Sequence, residues 1–594
     1  MDSRQNSVTE IVPVAVDGIQ INACRNTLCP QFGQEPSTND EPKLRRRLVG
    51  YTRSGSKGIR ALRCDSCKQT FLLKNNRAIA EELARMRAYL IETQQVICAN
   101  ETCASHDSEE SACFHRFGTT SSGSARVRCK TCGKTQSFSA NPTWKQKVAD
   151  KNALVLSLLV NKTAMRRILE IAEIGAQTLY RKLEHFERQC LLFAASMERR
   201  LPAMSFTHLD LATDRQDYLI NWGSHINRRS FSLRAAATSD RQSGFVFGIH
   251  SNFDPALGAV EVEHAARACG DLMRDVYLRE HARVWLLSDY ARVAESNAAV
   301  AKRDGRVNTQ RQPEQAGLIS DPDPFAEDYE QTAPSRGVQV RQEYVLMAHF
   351  LFLNSMLVGA RRVTLFLDPD SGIRTAAMLG FHERIRAGEV DAFLVRSEKE
   401  LTVNKRDTSL SQSEHRLAQF MAERPGLSRW EAGIAWLEEA FEAVLPQGLN
   451  PTPWVPHPFS DRAEPGKQIS LLTPRLDSNS NRVARRAISG GLKSIDRFFM
   501  LIRRRISLLE RPIRTPASAS RTCHIYSPYN PIVACRLLNI FRVIYNYHLA
   551  GEKDKATPAM RLGLALKRYS LAEILETPRP SKVTRQGSGS VLGE

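Results

Sequence analysis

The spacing of apolar residues changes character several times along this chain. Over residues 15–75 and 90–145, brief basic and apolar runs follow Gly/Ser turns, as in SGSKGIRALRC and SSGSARVRC, which predicts short strands. Between them, Ile79, Leu83, Met86 and Leu90 recur at helical spacing and predict a helix over 75–90. Leu154, Leu158, Ile168, Ile171, Leu179 and Leu183 mark further helices, one at 165–173 and one at 176–186, with a turn at Ile174-Gly175. From residue 204 the period becomes two. Met204 to Asp214 reads as a strand with Phe206, His208, Asp210, Ala212 and Asp214 on one face. Tyr218 to Trp222, Ser230 to Ala237 and Gly244 to Ser251 read as further strands. Mostly helical sequence follows from about 258 to 300, interrupted by the apolar run VWLL at 284–287. Tyr344 to Val358 predicts a buried helix, and Arg361 to Asp368 an apolar strand that ends on a carboxylate. Ile495, Phe498, Phe499, Ile502, Ile506 and Leu509 form the stripe of a late helix.

These elements predict a multidomain protein. Two zinc ribbons occupy 15–75 and 90–145, and an all-α helix-turn-helix occupies 150–195. Antiparallel strands, a helix, a strand ending in Asp and then helices are the order of an α/β ribonuclease H-like core, expected over 200–515. Within it, 302–336 is rich in Gln, Asp, Pro and Gly and predicts a disordered insertion. A helical segment over 516–576 would close the chain, followed by a flexible tail.

Composition narrows the partners. Lys and Arg number 83 against 64 Asp and Glu, a net charge of +19 over 594 residues, which favours a polyanion. A membrane is disfavoured. The longest apolar stretch, 344–358, is broken by His349 and Asn354 and is too short to span a bilayer. The polar start MDSRQNSVTE lacks a secretory signal core, so the expected location is the cytoplasm.

Four cysteine pairs fill the amino-terminal region: Cys24/Cys29 with Cys64/Cys67, then Cys98/Cys103 with Cys129/Cys132. Each wide pair followed by a CxxC knuckle predicts one tetrahedral zinc, two structural zinc ions in all. Cys113, Cys190, Cys269, Cys523 and Cys535 lack such spacing and read as ordinary thiols. In the helix-turn-helix, Thr178, Arg181 and Lys182 would face the DNA major groove.

The core carries acids placed for two-metal chemistry. Two Mg²⁺ or Mn²⁺ ions about 4 Å apart need carboxylates converging from separate elements. Asp210 and Asp214 share a strand face, so periodicity does not choose between them. Asp368 ends the later strand, with Asp370 beside it; Asp289 takes its place if VWLL is the fourth strand. Asp496 lies near the start of the late helix, with Glu510 further along and Arg503, Arg504 and Arg505 where phosphates could run.

The segments TDRQDYLINW (213–222), VFGIHSNFDP (246–255), LFLDPDSGIRTAA (365–377) and IDRFFMLIRRRISLLERP (495–512) resemble the DDE/D transposases of bacterial insertion sequences, in the branch with amino-terminal zinc ribbons and a helix-turn-helix. YSPYNP, RVIYNY and KATPAMRLGLA, between 526 and 565, extend the resemblance. It implies Asp214, Asp368 and Asp496 as the catalytic acids, although most of that family carries Glu at the third place. It further implies binding of terminal inverted repeats and target DNA, strand cleavage and transfer, a homo-oligomer on DNA, and a place at the bacterial nucleoid. The Asp at 496 keeps open a catalytically inactive, transposase-derived DNA-binding protein or regulator. A metal-dependent nuclease without strand transfer is the other rival.

Overall fold

The computed structural model describes residues 12–38, 48–56, 59–91, 98–106, 113–121, 125–138, 142–143, 146–221, 230–290, 336–399, 401–510, 513–514, 522–523 and 530–577. All but Arg336 of the expected insertion at 302–336 lies outside them, as do Tyr526 and Tyr529 of YSPYNP.

Two three-stranded antiparallel modules come first. β1 (Tyr51–Ser56), β2 (Ile59–Cys64) and β3 (Thr70–Leu72) form one; β4 (Phe114–Thr119), β5 (Ala125–Cys129) and β6 (Thr135–Phe138) form the other. The expected helix follows the first as α1 (Asn76–Ile91), which buries Ile79, Leu83 and Met86 against α6 (Gln342–Met356).

The helical segment is α2 (Asn152–Leu159), α3 (Met165–Ala172) and α4 (Ala176–Glu198). The tight conformation between α3 and α4 falls on Glu173, at φ +49°, rather than on Gly175. α4 runs well past the expected end at 186, because Phe186, Cys190, Phe193 and Ala194 continue an apolar face into the main core. There it packs on the carboxy-terminal helix α12 (Pro531–Tyr547).

The central sheet has seven strands. They are β7 (Leu209–Asn221), β8 (Ser230–Asp240), β9 (Val246–Ser251), β10 (Val363–Leu367), β11 (Val390–Arg396), β12 (Val455–Pro456) and β13 (Gln468–Leu471), in the order β9-β8-β7-β10-β11-β13-β12. β7, β8 and β9 are antiparallel neighbours, whereas β7, β10 and β11 run parallel. The two strands expected at 204–214 and 218–222 are one continuous strand, β7, paired with β8 from Leu211 to Asn221. No turn forms at Asp214, because Asp214 to Asp217 pair with β8 in unbroken register through the middle of β7. VWLL is not the fourth strand. Val284 makes only an isolated bridge to Val340, and β10 takes the place beside β7. α5 (Ala259–Ala268), α6 and α7 (Ser371–Gly380) connect the first strands. The helical pair α8 (Val403–Ala422) and α9 (Arg429–Val444) separates β11 from β12, and α10 (Ser480–Ala487) leads to α11 (Lys493–Arg505). Among the described residues no helix is long and apolar enough to cross a membrane.

Candidate metal centres and acidic site

The two four-cysteine clusters form as their spacing predicts. Cys24, Cys29, Cys64 and Cys67 converge, as do Cys98, Cys103, Cys129 and Cys132. Sulfur atoms lie 3.5 Å (Cys24–Cys67), 3.7 Å (Cys29–Cys64), 3.4 Å (Cys98–Cys132) and 3.8 Å (Cys103–Cys129) apart. A tetrahedron of sulfurs at the ~2.3 Å zinc–thiolate bond length has edges of about 3.8 Å, so both clusters fit a zinc ion. Both CxxC knuckles use one backbone pattern. Lys68 and Gly133 donate to the carbonyls of Cys64 and Cys129, and each sits at positive φ, +62° and +71°. The N–H groups of Cys132 and Thr131 hold the Cys129 thiol down to about 6, which favours the thiolate that a metal needs.

The two modules differ in surroundings. Ile21, Ala23 and Phe32 of the first join the main core. Thr27 donates to the Pro474 carbonyl and Asn75 to the carbonyls of Tyr277 and Arg279. The second has only its own small cluster, Cys98, Cys103, Phe114, Val127 and Cys129, with Cys113 against it. Its outer face carries Phe117, 42% exposed, with Arg126 and Arg128 over the ring.

In the helical segment Arg181 is exposed and Thr178 partly so. Lys182 is not available to DNA: it is buried, and its ammonium donates to the carbonyls of Lys147 and Val148 and to Asn152 Oδ1. The end of α11 reaches this segment. Lys162 donates through its backbone to the Arg505 carbonyl and through Nζ to that of Arg503. Arg504 stays exposed and Arg503 partly so. Glu510 lies beyond α11 and pairs with Lys162 at 2.9 Å, away from the helix start where Asp496 sits.

The acids sort by their partners. The parallel ladder of β7 and β10 ends on Thr213 and Leu367, and the Asp368 N–H donates to the Thr213 carbonyl, so Asp214 and Asp368 stand side by side one step on. α11 packs across β7 and β8 and brings Asp496, in its first turn, toward both. Burial and then the charges of Asp368 and Asp496 push the Asp214 carboxyl up to about 7. Asp496 keeps an open solvent face although protein crowds it; that crowding, then Glu464 and Asp368, push it up to about 6 against the pull of Lys399. Asp368 is raised by burial and by Asp370, while Lys399 Nζ, 3.6 Å away, opposes the rise. These three form an open group of mutually repelling carboxylates. Their oxygens do not all lie within 4.8 Å of one another.

The alternatives are engaged elsewhere. Asp210 accepts from Ser489 at 2.9 Å and pairs with His208 at 2.8 Å. Burial would raise its pKa, but these bonds outweigh it and hold it below the usual value. Asp370 caps α7 by accepting from the N–H groups of Gly372 and Ile373, and pairs with Arg215 at 3.2 Å. Asp289 is buried between Arg279 (2.9 Å) and Arg341 (2.6 Å).

Sequence reasoning missed the support under Asp496. Glu464 is buried, accepts from the Leu492 N–H and pairs with Lys467 Nζ at 3.1 Å. Lys467 and Arg241 donate to the carbonyls of Gly490 and Gly491. A Cβ on Gly491 would lie 2.7 Å from the Glu464 carboxylate, so glycine is required for this close approach. This braced turn fixes where α11 begins. A buried Glu and Lys three residues apart were its only trace in the sequence.

No protein-family profile matches this chain, and no curated protein matches it in sequence.

Proposed function

We propose that this protein is a transposase: it binds the ends of a mobile DNA element and cleaves and rejoins strands at a two-metal site built on Asp214, Asp368 and Asp496. One observation carries the reading. Three carboxylates from a central strand, its parallel neighbour and a late helix approach one another, and the charges of Asp368 and Asp496 raise the Asp214 carboxyl, while Asp210, Asp289 and Asp370 are occupied by a cap, hydrogen bonds and ion pairs. Carboxylates left to repel one another mark a site that suits cations. The sheet supports it too: an antiparallel meander of β7, β8 and β9 with parallel β10 and β11 on the other side of β7 is the order expected of a ribonuclease H-like core.

Magnesium or manganese bound there would favour the attacking oxygen and stabilise the leaving one. The chain's own residues set the rest. β7 and β10 hold Asp214 and Asp368 in step, the braced turn at 490–492 fixes Asp496, and Lys399 offers a cation beside Asp368 for a DNA phosphate. The second cysteine module, with its exposed Arg-flanked Phe117, is the module best presented to DNA, together with Arg181 and Arg504. Asp in place of the usual Glu at 496 is served by its position in the first turn of α11, close under the sheet.

The test is purified full-length protein with labelled DNA carrying the element's ends, assayed for 3′ nicking and for joining to target DNA in Mg²⁺ or Mn²⁺. Nicking with joining is the expected outcome. Nicking without joining would identify a nuclease, and end binding without either would identify an inactive DNA-binding relative.

A further inference from the structure

The loop that follows α5 gathers three donors of metal-binding type outside both cysteine clusters. Cys269 caps α5, Asp271 follows after Gly270 at φ +77°, and His281 returns from ten residues further on. One ligand atom from each lies within 4.8 Å of the other two. Cys269 Sγ is 3.8 Å from His281 Nδ1, and His281 Nδ1 is 3.1 Å from Asp271 Oδ2. A tetrahedral zinc site with bonds of ~2.3 Å to sulfur and ~2.0–2.1 Å to nitrogen and oxygen has sulfur–nitrogen edges of about 3.6 Å and nitrogen–oxygen edges of about 3.4 Å. The triad departs from those values no more than the two cysteine clusters depart from theirs.

The surroundings suit an ion. Asp271 is fully buried, and its two oxygens accept from the backbone N–H groups of Glu280 (2.9 Å) and His281 (2.8 Å), which fix the carboxylate's direction as an outer shell does. Among the described residues, the guanidinium that pairs with it is that of Arg274, at 3.5 Å and itself half exposed. Cys269 and His281 are partly open to solvent, which leaves room for water as a fourth ligand. A sulfur, nitrogen and oxygen set excludes magnesium and calcium and selects zinc among the common ions.

We propose that Cys269, Asp271 and His281 bind a third zinc ion, which staples the loop on which the first cysteine module docks. Between its ligands this loop supplies Tyr277 to that module's own core, Asp275 to Arg60 at 3.6 Å, and the Tyr277 and Arg279 carbonyls to Asn75. Closing the loop with a metal fixes all of these contacts at once. The inference does not depend on the transposase reading.

The experiment is a zinc count by atomic emission on the full chain, purified, washed in excess Mg²⁺ to clear the carboxylate site, and dialysed free of loose metal. Three zinc ions per chain are expected, falling to two in Cys269→Ala and in His281→Ala, and remaining three in His281→Cys, where a thiolate replaces the imidazole. The melting temperature should fall in both alanine variants and be kept in His281→Cys. A wild-type count of two overturns the proposal without recourse to any variant. So does a count of three that the alanine variants leave unchanged, since the additional ion would then sit elsewhere.

Discussion

The two cysteine clusters and the carboxylates of Asp214, Asp368 and Asp496 are opposite arrangements of side chains that can hold metal ions. Each cysteine cluster is closed: four sulfurs already stand at the edge lengths of a tetrahedron, and backbone N–H groups favour the thiolates. The carboxylates of Asp214, Asp368 and Asp496 are open, and each makes its neighbours harder to ionise. A closed site spends its binding free energy on folding, whereas an open one stays less stable than it need be and leaves positions for substrate. Substitutions should therefore act on stability at one kind of site and on chemistry at the other.

The largest effect should come from Asp368→Asn. The change is nearly isosteric, so the fold and DNA affinity should survive, but an amide is a poor ligand for Mg²⁺. Cleavage should fall at least about a thousandfold. Asp370→Asn should be far milder in the same nicking assay, because the amide oxygen still caps α7 and only the charge facing Arg215 is lost. Equal loss in both, or normal cleavage by Asp368→Asn, would put the acidic site elsewhere.

Next come the cysteines, which should divide the two modules. Cys129→Ser with Cys132→Ser should unfold the second module and leave the melting of the core unchanged, because its apolar cluster is its own. Cys64→Ser with Cys67→Ser should lower the core transition as well, by several degrees, because Ile21, Ala23 and Phe32 belong to the main core. A first module folded independently of residues 200–570 would instead leave the core transition unmoved. Calorimetry of both double variants distinguishes the two expectations.

What was legible followed from how local the physical code is. Ligands five and three residues apart within a pair announce a cysteine site, and the stripe Ile495, Phe498, Phe499 and Ile502 announces the buried face of α11, although the helix ends at Arg505 and the last two residues of the expected stripe, Ile506 and Leu509, are buried beyond it. Periodicity did not separate Asp214 from Asp210, because both share one strand face and Asp210 is occupied by Ser489, 279 residues away in sequence. Lys182 looked like a DNA contact because helical spacing cannot reveal that Lys147 and Val148 fold back over its ammonium. β7 was split in two because its polar middle, Asp214 to Asp217, resembles a turn, and only the pairing partner, β8, shows that it continues. Cys269 reads as an ordinary thiol because Asp271 and His281 match no ligand spacing, and only the fold brings the three side chains together.

A third test uses the repulsion itself. Asp214 titrates near 4 when unfolded and is pushed up to about 7 in the fold, so the protonated form is the one the fold prefers. The resulting stability is fully present below about pH 4 and is lost as pH rises through about 7. The metal-free protein should therefore be less stable at pH 8 than at pH 5, and Mg²⁺ should offset the loss at pH 8. Asp214→Asn should raise stability at pH 8 by on the order of 1–2 kcal/mol, allowing for solvent relaxation around a partly open group, and flatten this part of the profile. Denaturant melts at the two pH values measure both. A variant less stable than wild type at pH 8 would mean that Asp214 makes net favourable contacts and that the site is not strained.

The smallest effect compares the two cysteine modules at one equivalent position. After each CxxC knuckle the chain enters the left-handed region, at Lys68 in the first module and Gly133 in the second. There a Cβ crowds the following carbonyl, which costs roughly 1 kcal/mol that glycine avoids. The N–H at this position donates to the first knuckle cysteine in both modules, so the conformation is imposed by the site and not by the residue. Lys68→Gly should therefore stabilise the zinc-loaded first module by about 0.5–1 kcal/mol, even though the ammonium's bond to the Asp65 carbonyl is lost, because that bond is exposed. Gly133→Lys should destabilise the second module by a similar amount, with strain as the cause, since the nearest side-chain atom to a Cβ there is Arg128 Nη2 at 3.4 Å. Zinc affinity by competition with a chelator reads both, because folding and metal binding are one event in such modules. The same sign for the two substitutions would show that the knuckles are not equivalent, and that docking on the core has changed what the first one needs.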